Sequence, residues 1–267
     1  MKIEEDKISI ILPSYNYAWC IKETIDSVLN QDYENWELVI VDDGSQDNSP
    51  KILQNYQKKH PKKIKLFFHS NMENKGMTES YKLGIKNSTG KYLAFIESDD
   101  IWYPNYLSSK IKIFKENREV ILVYNNVEMF GSKKKIEEGE ELMKFILDDF
   151  KIKNKPFYAF EFLSEINYIP TFSCFMVKAK MLNKIDFSDK HKAWLDWWIL
   201  GQLSVRGKFF FQDKKKTKWR MHEKSYNNLY ISNLDIQNAT KKMQEDILDS
   251  AVDYLNKIDK FKSKETF

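Results

Sequence analysis

The sequence is poor in the residues and segments that mark several classes of protein. Only two of its 267 residues are cysteines, Cys20 and Cys174, which stand far apart and in no metal-ligand spacing. This usage is typical of a protein with buried free thiols in a reducing compartment. No stretch approaches the roughly 18 uncharged apolar residues of a membrane-spanning helix, and the charged start does not resemble a secretory signal. We therefore expect a cytoplasmic protein, whose contact with the inner face of the cell membrane would be peripheral.

A large excess of charge of one sign is also missing. Lys and Arg number 43 against 39 Asp and Glu, which leaves a net charge of +4. Nucleic-acid binding needs clustered positive charge to neutralise phosphates, so we expect no nucleic-acid partner. With 42% hydrophobic residues, the chain can form one large globular domain.

Apolar runs and helical patterns alternate along the first hundred residues. Each apolar run is short and nearly continuous, as expected of a strand that is buried on both faces of a sheet. The predicted strands are residues 8–12, 36–41, 64–68 and 92–96, and the predicted helices between them are residues 21–29, 49–59 and 77–87. This order predicts an α/β protein with a mainly parallel sheet flanked by helices.

The pattern becomes irregular after residue 102. A predicted helix at 106–115 and a strand at 120–125 precede a charged segment at 133–141, which we interpret as a loop. Residues 232–262 carry apolar side chains at helical spacing among many polar ones. This spacing predicts a long C-terminal helical extension.

Two pairs of aspartates, Asp42-Asp43 and Asp99-Asp100, directly follow predicted strands. In sheets of this kind ligands bind beyond the carboxyl ends of the strands. Adjacent carboxylates repel one another unless a positive group compensates, and their hard oxygen atoms suit Mg²⁺ or Mn²⁺. Either pair alone would also fit ordinary turn or helix-cap chemistry. Because both pairs end strands, we favour a site for a metal ion and a diphosphate.

The first half of the chain resembles the family 2 glycosyltransferases, which have the GT-A fold. Several motifs match in the family's order and spacing, which makes the resemblance specific. They are residues 10–16 (IILPSYN), 27–33 (SVLNQDY), 37–45 (ELVIVDDGS), 74–76 (NKG) and 90–100 (GKYLAFIESDD). The resemblance implies a GT-A-like (Rossmann-like) sheet and a nucleotide-diphosphate sugar as donor, with UDP as the expected nucleotide.

The same resemblance assigns residues to the nucleotide. The base and ribose would be lined by the segment after the first strand and by Asp42, with Asp43 shaping the turn. Lys82 would meet a phosphate, although a solvated helix lysine explains it equally well. The full set of implied nucleotide-binding residues is Pro13, Ser14, Tyr15, Asn16, Asp42, Asp43, Lys75, Gly76, Lys82, Ser98, Asp99 and Arg220.

A divalent cation, Mn²⁺ or Mg²⁺, is the cofactor that the resemblance implies. Asp99 and Asp100 would form the Asp-x-Asp-type element, with Asp100 the more direct metal ligand. Residues 219–222 (WRMH) resemble the family's Tyr-Arg-x-His element, so His222 would complete the metal shell and Arg220 would approach the diphosphate. Many relatives have Asp where this chain has Glu97, and we assign no metal contact to Glu97.

The catalytic base implied by the resemblance is Asp196. Residues 194–198 (WLDWW) resemble the family's Glu-Asp-Trp/Tyr element, with Leu195 in place of the usual Glu. In an inverting transfer such a carboxylate removes the proton of the acceptor hydroxyl, an effect worth roughly 10²–10⁴-fold in rate. The alternative is an aspartate that stabilises the N-terminus of a core helix.

These observations predict an inverting glycosyltransferase. The acceptor would be a saccharide or a lipid-linked hydroxyl, in the synthesis of a bacterial surface polysaccharide such as capsule or lipopolysaccharide. Two alternatives stay open: a non-catalytic nucleotide-sugar-binding subunit, and a sugar nucleotidyltransferase, which the absence of glycine from residues 13–16 disfavours.

We divide the chain into three parts. Residues 1–104 would form the nucleotide-sugar-binding half, residues 105–231 the acceptor-binding and catalytic half of the same domain, and residues 232–267 the helical extension. The extension would pack on the domain, form a homodimer or touch a membrane surface.

Overall fold

The computed structural model describes residues 4–147, 154–225 and 236–262. One mixed sheet runs through the molecule in the order β3-β2-β1-β4-β8-β6-β9-β5, with β7 paired to β9. The strands are β1 Glu4–Ser14, β2 Trp36–Asp42, β3 Ile64–Phe68, β4 Gly90–Phe95, β5 Ile101–Trp102, β6 Val120–Gly131, β7 Pro156–Phe157, β8 Phe175–Lys178 and β9 Lys208–Met221.

Helices cover both faces of this sheet. They are α1 Ile21–Leu29, α2 Ser49–Lys59, α3 Met77–Lys86, α4 Tyr106–Glu116, α5 Lys133–Leu147, α6 Phe160–Leu163, α7 Ala179–Leu182, α8 Leu195–Ser204 and α9 Ile236–Lys262. Short 3₁₀ turns occur at Ser70–Met72, Phe172–Cys174 and Asp189–Trp194.

The predicted strands and helices of the first half are confirmed. Strands β3, β2, β1 and β4 run parallel, and the register pairs Ser14 with Asp42 and Asp42 with Phe68. The carboxyl ends of β1, β2 and β3 therefore lie level at one edge of the sheet. Alternate residues of the apolar runs enter two core clusters, one on each face, as a strand buried on both sides requires.

The second half extends the same sheet with mixed strand directions. β8 runs antiparallel to both β4 and β6, whereas β9 runs parallel to β6. The end of β9 thereby arrives beside the loop that follows β4, because β5 pairs with β9 at Ile101 and Lys218.

Our interpretation of residues 133–141 as a loop is wrong, since they begin α5. Ion pairs between Lys133 and Glu137 and between Lys135 and Glu138 join neighbouring turns of this helix. Gly139 lets the helix lie close against Met129 and Met221. The many charged side chains of residues 133–141 belong to the solvent-exposed face of this helix.

The C-terminal helix α9 packs against the domain through one face. Met243, Ile247 and Ala251 are buried there, and Ile247 lies over Gly201 of α8. The Asp246 carboxylate on this face lies 2.8 Å from Lys190 Nζ and 2.8 Å from His191 Nε2. Among the described residues, no helix combines the length and the apolar character that crossing a membrane would require.

Candidate active site

Strand β2 ends in a carboxylate that has one oxygen atom without a partner among the described residues. Asp42 is fully buried, and its Oδ1 accepts a hydrogen bond from the Ser45 amide at 2.9 Å. Its Oδ2 and the Oγ of the adjacent Ser14 are buried, and neither has a hydrogen-bond partner in the part of the chain that the structure describes. Burial raises the pKa of Asp42 above its ordinary value. Unpaired buried polar atoms are costly, so this pair is suited to receive hydrogen bonds from a ligand.

Asp43 organises the adjoining turn through backbone groups. Its two oxygen atoms accept hydrogen bonds from the amides of Lys75 at 2.7 Å and Gly76 at 2.9 Å. The His69 Nε2 atom lies 3.4 Å from Oδ1 of the same carboxylate. Gly44 has φ +76, and a Cβ there would come within 2.6 Å of a backbone oxygen of residue 72. The 72–76 segment is therefore docked directly on the Asp42–Gly44 turn.

The segment after β1 is joined to both neighbouring loops. The Pro13 carbonyl accepts a hydrogen bond from the Ser98 hydroxyl at 2.8 Å. The Asn16 amide donates to Ser45 at 2.9 Å, and the Asn16 side chain accepts from the Gln46 amide at 2.7 Å. The Tyr15 ring is 43% exposed above them. Ser98 thus fixes the loop rather than facing outward, while Tyr15 is accessible to a ligand.

The ammonium groups of two lysines in the predicted nucleotide-binding set make their contacts elsewhere. The Lys82 ammonium pairs with Glu79 at 2.6 Å on the exposed face of α3. The Lys75 ammonium pairs with Glu73, so the contribution of Lys75 to the site is its backbone amide. The structure does not bring either ammonium group into the cluster of carboxylates.

Three carboxylates follow β4 and lie close together. Asp100 is fully buried, with Oδ1 accepting from the Arg220 amide at 2.9 Å and Oδ2 accepting from the Thr171 hydroxyl at 3.2 Å. The same hydroxyl lies 2.7 Å from Glu97. Burial and the charge of Asp99 raise the pKa of Glu97 to about 8 and that of Asp100 well above its ordinary value. The ionised forms of these side chains are therefore disfavoured here, and a bound cation would stabilise them.

The end of β9 closes this cluster. The His222 ring nitrogen Nε2 lies 2.7 Å from Asp99 Oδ2, and both side chains are partly accessible. The Arg220 guanidinium donates to the Asp99 carbonyl at 2.8 Å and to Glu23 at 2.6 Å. The Trp19 ring, 52% exposed, meets the His222 ring edge-on at 5.3 Å. Arg220, His222 and Asp99, which the sequence analysis grouped, are thus brought together.

The carboxylate of Asp99 and the imidazole of His222 offer an oxygen and a nitrogen atom that could bind a divalent cation. Adjacent ligands of an octahedral Mg²⁺ at about 2.1 Å lie about 3 Å apart, close to the separation seen here. Across the described ranges, however, no three His, Cys, Asp or Glu side chains already converge as a metal site. Both oxygen atoms of Asp100 accept hydrogen bonds from the protein, whereas Asp99 Oδ2 lies beside His222.

Asp196 lies in the first turn of α8 and is half-buried. Its Oδ1 accepts from the Trp197 amide at 2.8 Å, and its Oδ2 accepts from the Asn167 side-chain amide at 3.0 Å. Burial raises the pKa of Asp196 to about 6. Its charge also contributes to the raised pKa of Glu97, which places the two carboxylates in one electrostatic neighbourhood. Trp197 and Trp198, the two residues that follow Asp196, are buried in the core.

Sequence reasoning missed four residues of this site: Trp19, Glu23, Asn167 and Thr171. Trp19 precedes α1 and Glu23 lies in its first turn, shortly after the first motif, so their closeness to the edge of the sheet could have been inferred. Asn167 and Thr171 belong to an irregular segment, and no local sequence pattern predicts their contacts with Asp196, Glu97 and Asp100.

Comparison with known proteins identifies the family. A profile of the family described as Glycosyl transferase family 2 matches residues 9–186. The chain belongs to glycosyltransferase family 2, and the GT-A-type α/β fold expected from the sequence is confirmed.

Two curated relatives have stated roles. The minor teichoic acid biosynthesis protein GgaA of Bacillus subtilis is 30% identical over 229 residues, which cover 78% of this chain and 47% of GgaA. The Escherichia coli UDP-Glc:alpha-D-GlcNAc-diphosphoundecaprenol beta-1,3-glucosyltransferase WfgD is 37% identical over 126 residues, 47% of each chain. The matched region thus spans less than half the length of either relative.

Solved structures share the fold at low sequence identity. S. aureus TarS (residues 1–349) in complex with UDP-GlcNAc has a TM-score of 0.66 at 17% identity, covering 91% of this chain and 72% of that one. The mannosyltransferase PcManGT of Pyrobaculum calidifontis, in complex with GDP-Man and Mn²⁺, has a TM-score of 0.56 at 16% identity, covering 82% and 58%.

Proposed function

We propose that this protein is an inverting glycosyltransferase that moves a sugar from a nucleoside diphosphate to a saccharide or lipid-linked hydroxyl. The observation that carries the proposal is the carboxyl edge of the sheet. There Asp42 has one buried, unpaired oxygen atom among the described residues, and the acidic cluster beside Arg220 is electrostatically linked to the carboxylate of Asp196. These are the parts that binding a nucleotide, holding a diphosphate and deprotonating an acceptor require.

Asp42 and Ser14 would recognise the nucleotide through its N–H and O–H groups. Asp42 Oδ2 is a buried acceptor, and the imide N–H of uracil is a matching donor. Tyr15 follows Ser14 in the chain and is 43% exposed, and its ring would stack on the base. UDP is therefore the proposed nucleotide, in line with the UDP-GlcNAc held by TarS.

Asp99 and His222 would hold a divalent cation, with the buried Asp100 next to them in a supporting role. Such an ion, when bound, neutralises charge that develops on the leaving diphosphate. The Arg220 side chain is next to this position and can exchange its exposed contact with Glu23 for a phosphate oxygen. Mn²⁺ is the proposed ion because carboxylate oxygen and imidazole nitrogen are both among its ligands.

Asp196 would act as the general base. Its oxygen takes the proton of the acceptor hydroxyl while the acceptor oxygen bonds to C1 of the sugar, and the C1–oxygen bond to the diphosphate breaks on the opposite face. A pKa of about 6 keeps the carboxylate ionised at neutral pH and still basic enough to take a proton. A non-catalytic nucleotide-sugar-binding subunit is the alternative, since Leu195 is buried in the core where relatives carry Glu.

The acceptor and the cellular role are proposed from the relatives. GgaA and WfgD are named for teichoic acid and for a diphosphoundecaprenol-linked sugar, so we propose that this chain builds a bacterial surface glycan.

Leu248, Val252 and Leu255 form an exposed apolar stripe on α9. Self-association through this stripe is our proposal for α9, and light scattering of wild type and Leu248→Glu tests it. Sedimentation with anionic vesicles tests the competing peripheral membrane contact.

A thermal-shift panel tests the function as a whole. UDP, GDP, CDP and dTDP are each added with and without Mn²⁺, because a ligand of the native state raises the unfolding temperature. We expect the largest shift with UDP and Mn²⁺ together. If no nucleotide shifts the transition in a metal-dependent way, the proposal is wrong.

A further inference from the structure

A short irregular segment, residues 167–171, contacts both ends of the proposed reaction centre. At one end Asn167 donates its side-chain N–H to Asp196 at 3.0 Å. At the other end the Thr171 hydroxyl reaches Glu97 at 2.7 Å and Asp100 at 3.2 Å. The base and the acidic cluster are thus joined through one stretch of chain.

The backbone between these contacts is well fixed. Ile169 is fully buried and Tyr168 nearly so, which anchors the segment in the core. Pro170 fixes its own φ and restricts the residue before it. The Thr171 hydroxyl also accepts a hydrogen bond from the Ser173 amide at 3.2 Å, which holds the far end in its turn.

The Asn167 carboxamide is held from two sides. Its Oδ1 accepts a hydrogen bond from the Ile169 amide at 3.1 Å, so its Nδ2 is the end that faces Asp196. This is the side-chain hydrogen bond that the structure shows for Asp196, and the other contact comes from the Trp197 backbone amide. An N–H donor favours the ionised carboxylate, whereas burial disfavours it.

We propose that Asn167 is a positioning residue for Asp196, which it orients and keeps ionised through a carboxamide fixed by the 167–171 segment. The inference rests on the proposed function in one respect, namely that Asp196 is the base. Among the described residues, Glu97, Tyr81 and Cys174 are titratable groups whose pKa values are raised by the charge of Asp196. None of the three can carry a positive charge, so none of them duplicates the way in which the Asn167 amide favours the ionised carboxylate.

The experiment is a ¹³C NMR titration of the Asp196 carboxyl carbon in the metal-free full chain. Asp196→Asn removes the signal and thereby assigns it. In wild type we expect a midpoint near the pKa of about 6. Asn167→Ala should raise the midpoint by about one pH unit, because the lost hydrogen bond favoured the ionised form. Asn167→Asp should raise it further, because a second carboxylate takes the place of the donor.

Asn117→Ala is the matched control. Asn117 is likewise half-buried and donates its side-chain amide to a backbone oxygen at 3.0 Å, but at the end of α4. It should leave the midpoint unchanged. An unchanged midpoint in both folded Asn167 variants would overturn the proposal, and so would a shift of equal size in Asn117→Ala.

Turnover separates this inference from the proposed function. In a UDP-release assay with UDP-glucose, Asn167→Ala should lower the rate at the optimum pH by roughly 10–100-fold, as displaced reacting groups do. The acid limb of its pH profile should move upward with the NMR midpoint. If Asp196→Asn retains the wild-type rate, the base assignment fails even where the titration shifts as expected. If Asp196→Asn is inactive but the Asn167 variants titrate as wild type does, only the positioning role fails.

Discussion

The two halves of the sheet edge hold their carboxylates in different ways. At the end of β2, Asp42 is the last residue of a parallel strand, Asp43 follows it, and both accept hydrogen bonds from backbone amides. In the second half of the chain, Asp196 lies in the first turn of α8 and accepts a hydrogen bond from an asparagine side chain of an irregular segment. The first arrangement follows from strand ends meeting at one edge, whereas the second depends on long-range packing. The difference suggests that binding and turnover can be damaged separately.

The largest expected effect is on turnover. Asp196→Asn keeps the size of the side chain but cannot take a proton, so the rate of sugar transfer should fall roughly 10²–10⁴-fold. The measurement is UDP release under saturating donor. In wild type the rate should also decline as pH falls through about 6, because the base is then protonated. An undiminished rate in the variant would favour a different base.

The next effect is on metal-dependent binding. Asp99→Asn and His222→Ala each alter one of the two proposed ligands of the cation. The affinity for nucleotide in the presence of Mn²⁺ should therefore weaken by roughly 10–100-fold. Calorimetry with UDP, with and without Mn²⁺, measures it. His60→Ala, which alters a histidine at the end of α2, is the control. Equal losses with and without Mn²⁺ would indicate a contact to the nucleotide instead.

A smaller effect is expected on stability. The folded-state pKa of Glu97, about 8, lies above its ordinary 4.5, so its neutral form is favoured by folding. Its contribution to stability is complete below about pH 4.5 and is lost as pH rises through 8. Glu97→Gln stays neutral, and without metal its unfolding temperature should exceed that of wild type by roughly 2–8 °C at pH 8.5.

The two transitions should converge near pH 4.5. Glu79→Gln, on the exposed face of α3, is the control and should show no such pH-dependent difference. A difference between Glu97→Gln and wild type that is the same at both pH values would mean that ionisation of Glu97 is not its source.

The smallest effect is expected at Lys82. Its ammonium pairs with Glu79 on the exposed side of α3, so Lys82→Ala should change UDP affinity by less than about twofold. Lys86→Ala, on the same helix, should behave alike. A tenfold loss that is specific to Lys82→Ala would show that this side chain swings to the phosphate.

The sequence predicts the surroundings of Asp42 and Asp43 well because the signals there are local. A short apolar run that ends in Asp42-Asp43 predicts a strand and the position of its carboxyl end, which lies beside Ser14 at the edge of the sheet. The surroundings of Asp196 lack such signals. The contact of Asn167 with Asp196 joins residues from separate segments, and no periodicity encodes it.

A dense run of charge in this chain marks the solvated face of a helix, not a loop. Residues 133–141 form the start of α5, in which opposite charges pair along the helix. The roles of Asp99 and Asp100 also depend on tertiary structure. Only the arrival of β9 shows that Asp100 is engaged by Arg220 while Asp99 meets His222.

The central claim is that one part of this edge binds the donor while Asp196 serves the reaction. Its most direct test is a calorimetric titration of UDP with Mn²⁺ into Asp196→Asn. We predict a dissociation constant within about twofold of wild type, because Asp196 lies outside the nucleotide-binding set. Loss of UDP binding in a folded Asp196→Asn protein would contradict the account.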